Sequence, residues 1–240
     1  MKALIDQIKL QRDIYIIGLC TTGGLFVLGT VLHEIIWRMQ EGMETEVVCM
    51  GSMMAFVGIL VALLFGVMQH IVNVYNYAIS LGRTRKNFFP AYTLAVFVSA
   101  LVVEAMALCL HVLERFRLRV MYPGFRIDDP AAHVLEWNIL LVMALLGTAV
   151  GVLFGSLVIK FGKIALWIFC LLWAAVCIGS PRVNEVMFAH PDSGVTIVSL
   201  RAAEWFFRLG KMGMVLLALV LSAVILSVAY LLLRRQQVNL

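Results

Sequence analysis

The chain has 240 residues, 62% of them hydrophobic and 14% charged, with a mean hydropathy of +0.98. A soluble domain cannot cover that much apolar surface, so the composition excludes an ordinary water-soluble enzyme and predicts an integral membrane protein. The net charge of +5 bears on topology and lipid contact, and no basic stretch interleaved with exposed aromatics points to nucleic acid.

Met1 to Asp13 carries Leu4, Ile5 and Ile8 on one side and Lys2, Asp6, Lys9 and Asp13 elsewhere, the pattern of a short amphipathic helix on the membrane surface. The apolar run that begins at Ile14 is too long for a signal peptide and lacks a small-x-small exit, so it reads as an uncleaved first span. Six apolar runs follow in order: Ile14–Trp37, Val47–Gln69, Ala91–Leu113, Leu135–Ile159, Phe161–Ser180 and Met212–Leu233. A helix needs about 20 apolar residues to cross a hydrocarbon core, and each run meets that length. The fold class expected is all-α: one transmembrane domain over residues 1–240 with six spans. A membrane β-barrel is excluded, because the runs lack a period of two and are too long for its strands. The five cysteines (Cys20, Cys49, Cys109, Cys170 and Cys177) all lie in apolar runs and form no CxxC, so they read as small buried thiols.

Between the second and third runs the chain turns polar. Asn73, Asn76, Ser80, Thr84 and Asn87 recur every three or four positions, which predicts one face of a short helix that Gly82 ends or bends. Arg83, Arg85 and Lys86 follow, and Pro90 opens the next run. Such a basic loop suits lipid headgroups or a cytoplasmic partner; its plain alternative is a positive loop that fixes topology. With the N-terminus inside, ten cations fall on the inner side and nine on the outer, so the plain count is nearly silent. The three-cation central loop and the short link Lys160–Lys163 decide for cytoplasmic termini.

After the third run Arg115, Arg117 and Arg119 alternate with Phe116, Leu118 and Val120 before a turn at Pro123-Gly124. This reads as a solvated face, or else as a short extended segment whose arginines meet lipid phosphates. In the fourth run Gly147, Gly151 and Gly155 stack on one helix face, the spacing that lets another backbone approach closely. Pro181 to Lys211 holds two apolar stretches, Val195–Leu200 and Ala202–Leu209, too short to span; they predict a re-entrant or interfacial hairpin, with Trp205, Phe206 and Phe207 at headgroup depth.

The chain has no GxxxxGK[ST] loop, GxSxG or HExxH, so no nucleotide or hydrolase chemistry is readable through those motifs. His33, His111, His133 and His190 lie towards the outer side beside Glu34, Glu114, Asp128, Asp129 and Glu136. Their spacing matches no zinc ligand set, and they read as headgroup-level side chains. Glu104 stands apart. It is the fourteenth residue of the 23-residue third run, and no span interior offers a lysine or arginine to pair with it. A carboxylate at that depth faces the bundle or an aqueous cavity, as a structural hydrogen-bonded acid or as part of a translocation path.

The segment Ser80-Leu81-Gly82-Arg83-Thr84-Arg85-Lys86, with Asn87-Phe88-Phe89 after it, resembles the first cytoplasmic loop of permease subunits of bacterial type-2 ABC exporters. The match covers some ten positions; the span arrangement is similar over the whole chain but generic. The resemblance implies that this loop docks on a cytoplasmic ATP-binding subunit and that two permease subunits, alike or different, enclose the pathway. ATP and magnesium would then sit on the partner and no cofactor on this chain, which would lie in the bacterial cell membrane among its lipids and have no activity alone. The Arg-rich loop after the third run departs from the family pattern. Two other classes compete: a membrane-embedded enzyme using Glu104 and the outer histidines, and an auxiliary or immunity membrane protein without transport.

Overall fold

In hydrocarbon every backbone N–H and C=O must be paired within its own segment, and uninterrupted apolar runs meet that demand by coiling into helices. The computed structural model describes residues 12–39, 46–80, 84–189, 201, 205 and 208–234. Helix α1 is Arg12–Met39, followed by strand β1, Glu46–Val48. Helix α2 comprises Met50–Val61, a π-helical turn Ala62–Gly66, and Val67–Ser80. Next come α3, Arg85–Met121, strand β2, Arg126–Asp128, and the short α4, Pro130–Val134. Helices α5, Trp137–Phe161, α6, Lys163–Ala189, and α7, Gly210–Arg234, complete the described chain.

Five helices are long and apolar enough to cross a membrane, and α6 adds a shorter described apolar part, Lys163–Ala175. The protein is thus a largely helical membrane protein. The N-terminal amphipathic segment, Leu81–Arg83 and most of the hairpin before α7 lie outside the described residues.

Cys20 and Cys109, expected to be buried, lie on exposed helix faces, and three expectations about element bounds need correction. The polar face from Asn73 to Asn87 is not one short helix. Asn73, Asn76 and Ser80 continue α2, whose buried face runs on through Ile71, Tyr75 and Ala78, while Thr84 precedes α3 and Asn87 lies in its first turn. Pro90 sits inside α3 rather than opening it, because the helix starts at Arg85, with the Thr84 carbonyl accepting from the N–H groups of Asn87 and Phe88 at 3.0 Å each. The arginines after the third run are helical, neither extended nor a separate loop: His111, Glu114 and Leu118 are buried at a helical spacing, so α3 continues to Met121. The turn then falls at Pro123-Gly124, where Gly124 has φ +99°.

β1 and β2 pair in parallel, Glu46 with Arg126 and Val48 with Asp128, a small departure from an all-α fold. A two-stranded ribbon is marginal by itself. This one is seated on Leu118 of α3, with Val47 and Cys49 buried and Trp37 and Tyr122 packed around them. The ribbon, the start of α2 and the end of α3 mark one end of the bundle; the α2–α3 loop marks the other. At the loop end one cluster joins Ile14 of α1, Tyr75 of α2, Phe88 and Tyr92 of α3, Val152 of α5 and Leu233 of α7.

α2 is the central strut, touching α1, α3 and α5. Gly147, Gly151 and Gly155 bring α5 onto it at the π-helical turn and the helix that follows. A Cβ on Gly151 would lie 2.4 Å from the Leu63 carbonyl oxygen, and one on Gly155 2.0 Å from Ile71 Cγ2. By contrast, a Cβ on Gly24 of α1 meets nothing within 4 Å. Gly151→Ala therefore forces two backbones apart and costs about 1–3 kcal/mol, whereas Gly24→Ala is tolerated. The melting temperature and monodisperse yield of the two variants in detergent read this directly; equal behaviour would mean that α5 is not held against α2 there.

Candidate functional site

A helix N-terminus leaves N–H groups without intrahelical acceptors; α2 has two small residues, Gly51 and Ser52, in its first turn, and its N-cap Cys49 supplies no side-chain cap. The cap comes from α3. Glu114, 1% exposed, accepts from Gly51 N–H at 2.8 Å and Ser52 N–H at 2.7 Å, and the Ser52 hydroxyl donates to it as well. The positive end of the α2 dipole adds to the stabilisation of this carboxylate. Gly51 is needed for space: a Cβ there would fall 2.7 Å from Glu114 Oε1.

One turn back on α3, His111 Nδ1 lies 3.0 Å from Ser52 Oγ. Its Nε2 is 3.5 Å from Asp129 Oδ2, which also forms an ion pair with Arg115 Nε at 3.3 Å. The other oxygen of Asp129 caps α4 by accepting from Ala132 N–H at 3.1 Å. Beside this chain Glu34 of α1 accepts from Arg117 at 3.1 Å and from the Tyr122 hydroxyl at 3.2 Å. Burial, then the Glu34 carboxylate, raise the Tyr122 phenol above its ordinary value. Burial foremost, with the Asp129 and Glu114 charges, pushes the Cys49 thiol up to about 12, which makes it an inert filler.

Ser52, His111 and Asp129 follow the order of a nucleophile relay, but the geometry makes them a strut. Ser52 is fully buried and its hydroxyl is committed to Glu114. With that proton given away, Nδ1 of His111 must be the donor towards Ser52, so the ring cannot serve as its base. The cluster locks α1, α2, α3 and α4 together. Sequence reading placed His111 at the headgroups with Glu114 and Asp129 beside it on the outer side, and missed the lock. The signal was present in the helical spacing of His111, Glu114 and Leu118, hidden by ending the third span at Leu113.

The bundle interior holds a second set of polar groups. Glu104 is 3% exposed and its Oε1 has no hydrogen-bond partner; Ala100 and Ala107, one turn to either side, are packed in the core cluster with Ile59 and Ala144. Thr93 of α3, Thr148 of α5 and Ser222 of α7 line one cavity of about 370 Å³, and each presents a buried hydroxyl without a partner. The rest of that cavity is apolar, from residues such as Phe89, Phe97 and Leu226.

The loop residues fall elsewhere. Ser80 ends α2, Thr84 is exposed, and Arg85 and Lys86 open α3; Leu81, Gly82 and Arg83 lie outside the described residues. Beneath them Tyr75 meets Phe88 edge-on at 5.7 Å and Phe88 stacks on Tyr92 at 5.4 Å. Tyr92 donates to the Val67 carbonyl at 3.3 Å and is met by His70 Nδ1 at 3.2 Å. The structure thus brings the small-residue face onto α2 and sets the basic residues at the loop end, with Glu104 apart in the interior. Among the described residues no group of three His, Cys, Asp or Glu is placed to hold a metal ion.

Glu114→Ala leaves two helix N–H groups and a hydroxyl unpaired in a buried site, and it is expected to lower stability by about 3 kcal/mol or more. Glu34→Ala, with a partly exposed partner set, should cost less. Thermal melting of both variants checks the ranking, and a Glu114→Ala protein as stable as the parent would refute the lock. Compared with known proteins, the chain matches no family model, no curated protein and no solved structure.

Proposed function

We propose that this chain is the permease subunit of a bacterial ABC exporter, moving a substrate across the cell membrane with ATP hydrolysed by a separate cytoplasmic subunit. The observation that carries the reading is the set of buried, unpartnered polar groups inside the spans: Glu104, and the hydroxyls of Thr93, Thr148 and Ser222 around one cavity. Such groups are expensive in hydrocarbon and mark pathways when they face a cavity. The resemblance of Ser80–Lys86 to a coupling loop supplies the energy source. The aromatic floor under that loop touches α1, α2, α3, α5 and α7, so a push from a docked partner would reach all of them. In this reading α6 supplies the fifth of six spans, both termini are cytoplasmic, and a second permease subunit completes the pathway.

Orientation is tested first. In a cysteine-free background, Lys86→Cys should be shielded from an impermeant reagent in intact cells and Arg126→Cys, whose parent side chain is 81% exposed, should react. The reverse pattern would invert the topology and remove the loop from the cytoplasm.

Coupling is tested by reversing Arg83 and Arg85 to glutamate. The substitutions should abolish co-purification with the ATP-binding subunit, or its stimulation by substrate, and leave the melting temperature unchanged, since a docked loop transmits motion only through contacts that differ between the partner's states. In the same reconstituted complex Glu104→Gln should impair transport without loss of stability. Unchanged binding, ATPase stimulation and transport would defeat the exporter reading. Turnover by the purified chain alone would instead favour a membrane-embedded enzyme.

A further inference from the structure

At the ribbon end, a cavity of about 660 Å³ opens between the start of α5 and the start of α7, lined by Glu136, Asn138, Ile139, Val142, Lys211 and Met214. Its upper rim is charged. Lys211 Nζ lies 2.6 Å from Glu136 Oε2, with the two side chains 56% and 36% exposed. The hydrogen bond and charge of Lys211 hold the Glu136 carboxyl below its ordinary range, so the rim presents a cation and an anion side by side. The contact uses one N–H of three and one carboxylate oxygen of two, which leaves both groups able to bind more.

His133 of α4 also lines the cavity; apart from it and the rim pair, the wall is apolar except for Asn138. This side chain is 2% exposed, lines the cavity, and has an amide oxygen with no hydrogen-bond partner. A buried acceptor left unpaired costs about 1–3 kcal/mol, so an occupant that brings an N–H or O–H donor is favoured. Depth is fixed by the helix: Trp137, exposed at the first turn of α5, suits the headgroup level, and Val142 lies about 7 Å deeper along the axis. Headgroup chemistry therefore meets the rim, and acyl chemistry meets Ile139, Val142 and Met214.

We propose that this cavity is a specific site for phosphatidylethanolamine, with the lipid phosphate at Lys211, the ammonium between Glu136 and the Asn138 amide oxygen, and the upper acyl chain along Ile139, Val142 and Met214. The match is chemical. An ethanolamine headgroup carries the anion, the cation and the N–H donors that Lys211, Glu136 and Asn138 require, with His133 at the same lining. Phosphatidylcholine has the same charges but no N–H, and phosphatidylglycerol has no cation for Glu136. The site does not depend on the exporter reading.

The test uses the full chain purified in a neutral detergent and native mass spectrometry with equimolar dioleoyl phosphatidylethanolamine, phosphatidylcholine and phosphatidylglycerol. The ethanolamine lipid should be retained about tenfold over the choline lipid, the size of one hydrogen bond to a charged group. Asn138→Leu should bring that ratio close to one, and Lys211→Ala should reduce retention of all phospholipids. Should Asn138→Leu fail to fold, the parental ratio and the exposed Lys211→Ala variant carry the test. Equal retention of the choline lipid by the parent chain, or preference for phosphatidylglycerol, would overturn the proposal. Displacement by water-soluble glycerophosphoethanolamine at equal concentration would overturn the lipid assignment, since the acyl contacts would then add nothing.

Discussion

A carboxylate sealed from water must be met by donors on nearly every lone pair, and Glu114 imposes that constraint on everything around it. Its two oxygens take the Gly51 and Ser52 N–H groups in the first turn of α2 and the Ser52 hydroxyl, so the side chain can be buried only if α2 starts at that position. Gly51 must then lack a side chain, His111 must turn to Ser52, and Asp129 must close the far side with Arg115. The short parallel ribbon follows from the same geometry, because Cys49, just before α2, donates its N–H to the Asp128 carbonyl at 3.2 Å. A buried charge network of this kind is a weak source of net stability but a strong determinant of register, since removing one member leaves the others uncompensated.

The two ends of α2 are fastened by different physics. The ribbon end uses charge and directed hydrogen bonds, which tolerate little displacement. The loop end combines stacked and edge-on rings around Tyr75, Phe88 and Tyr92 with neutral hydrogen bonds that Tyr75 and Tyr92 donate to the Leu233 and Val67 carbonyls. Midway, the π-helical turn of α2 lies against the glycine face of α5, a place where helices commonly carry function.

The apolar runs made the helical membrane fold legible, because a run of that length has one solution in hydrocarbon. Boundaries were less legible where polar residues continue a helix. Ending the second run at Gln69 overlooked Ile71, Tyr75 and Ala78, which carry the buried face onward at helical spacing. Ending the third at Leu113 split His111 from Glu114, and with them the lock. No local pattern could show that lock, since Gly51 and Ser52 stand 63 and 62 residues from Glu114; pairing at that range is a property of the packed bundle. The Gly147, Gly151 and Gly155 row was visible because its periodicity is local, whereas its partner, the Leu63 carbonyl, was not.

The unpartnered hydroxyls carry the remaining weight, and their neighbours show why. A serine in a helix can satisfy itself by bonding back to a carbonyl three or four residues earlier. Ser99, Ser156 and Ser227 do so, each at 2.7 Å, to Val96, Val152 and Ala223. Ser222 and Thr148 lie in the same helices as Ser227 and Ser156 and have the same option, yet both remain unbonded at the wall of the cavity they share with Thr93. Each unbonded hydroxyl costs about 1–3 kcal/mol in a dry setting. Thr22 and Thr30 of α1 keep unbonded hydroxyls as well, yet they do not line this cavity. What sets Thr93, Thr148 and Ser222 apart is that three helices bring them to one shared lining, and it is that sharing on which the exporter reading draws.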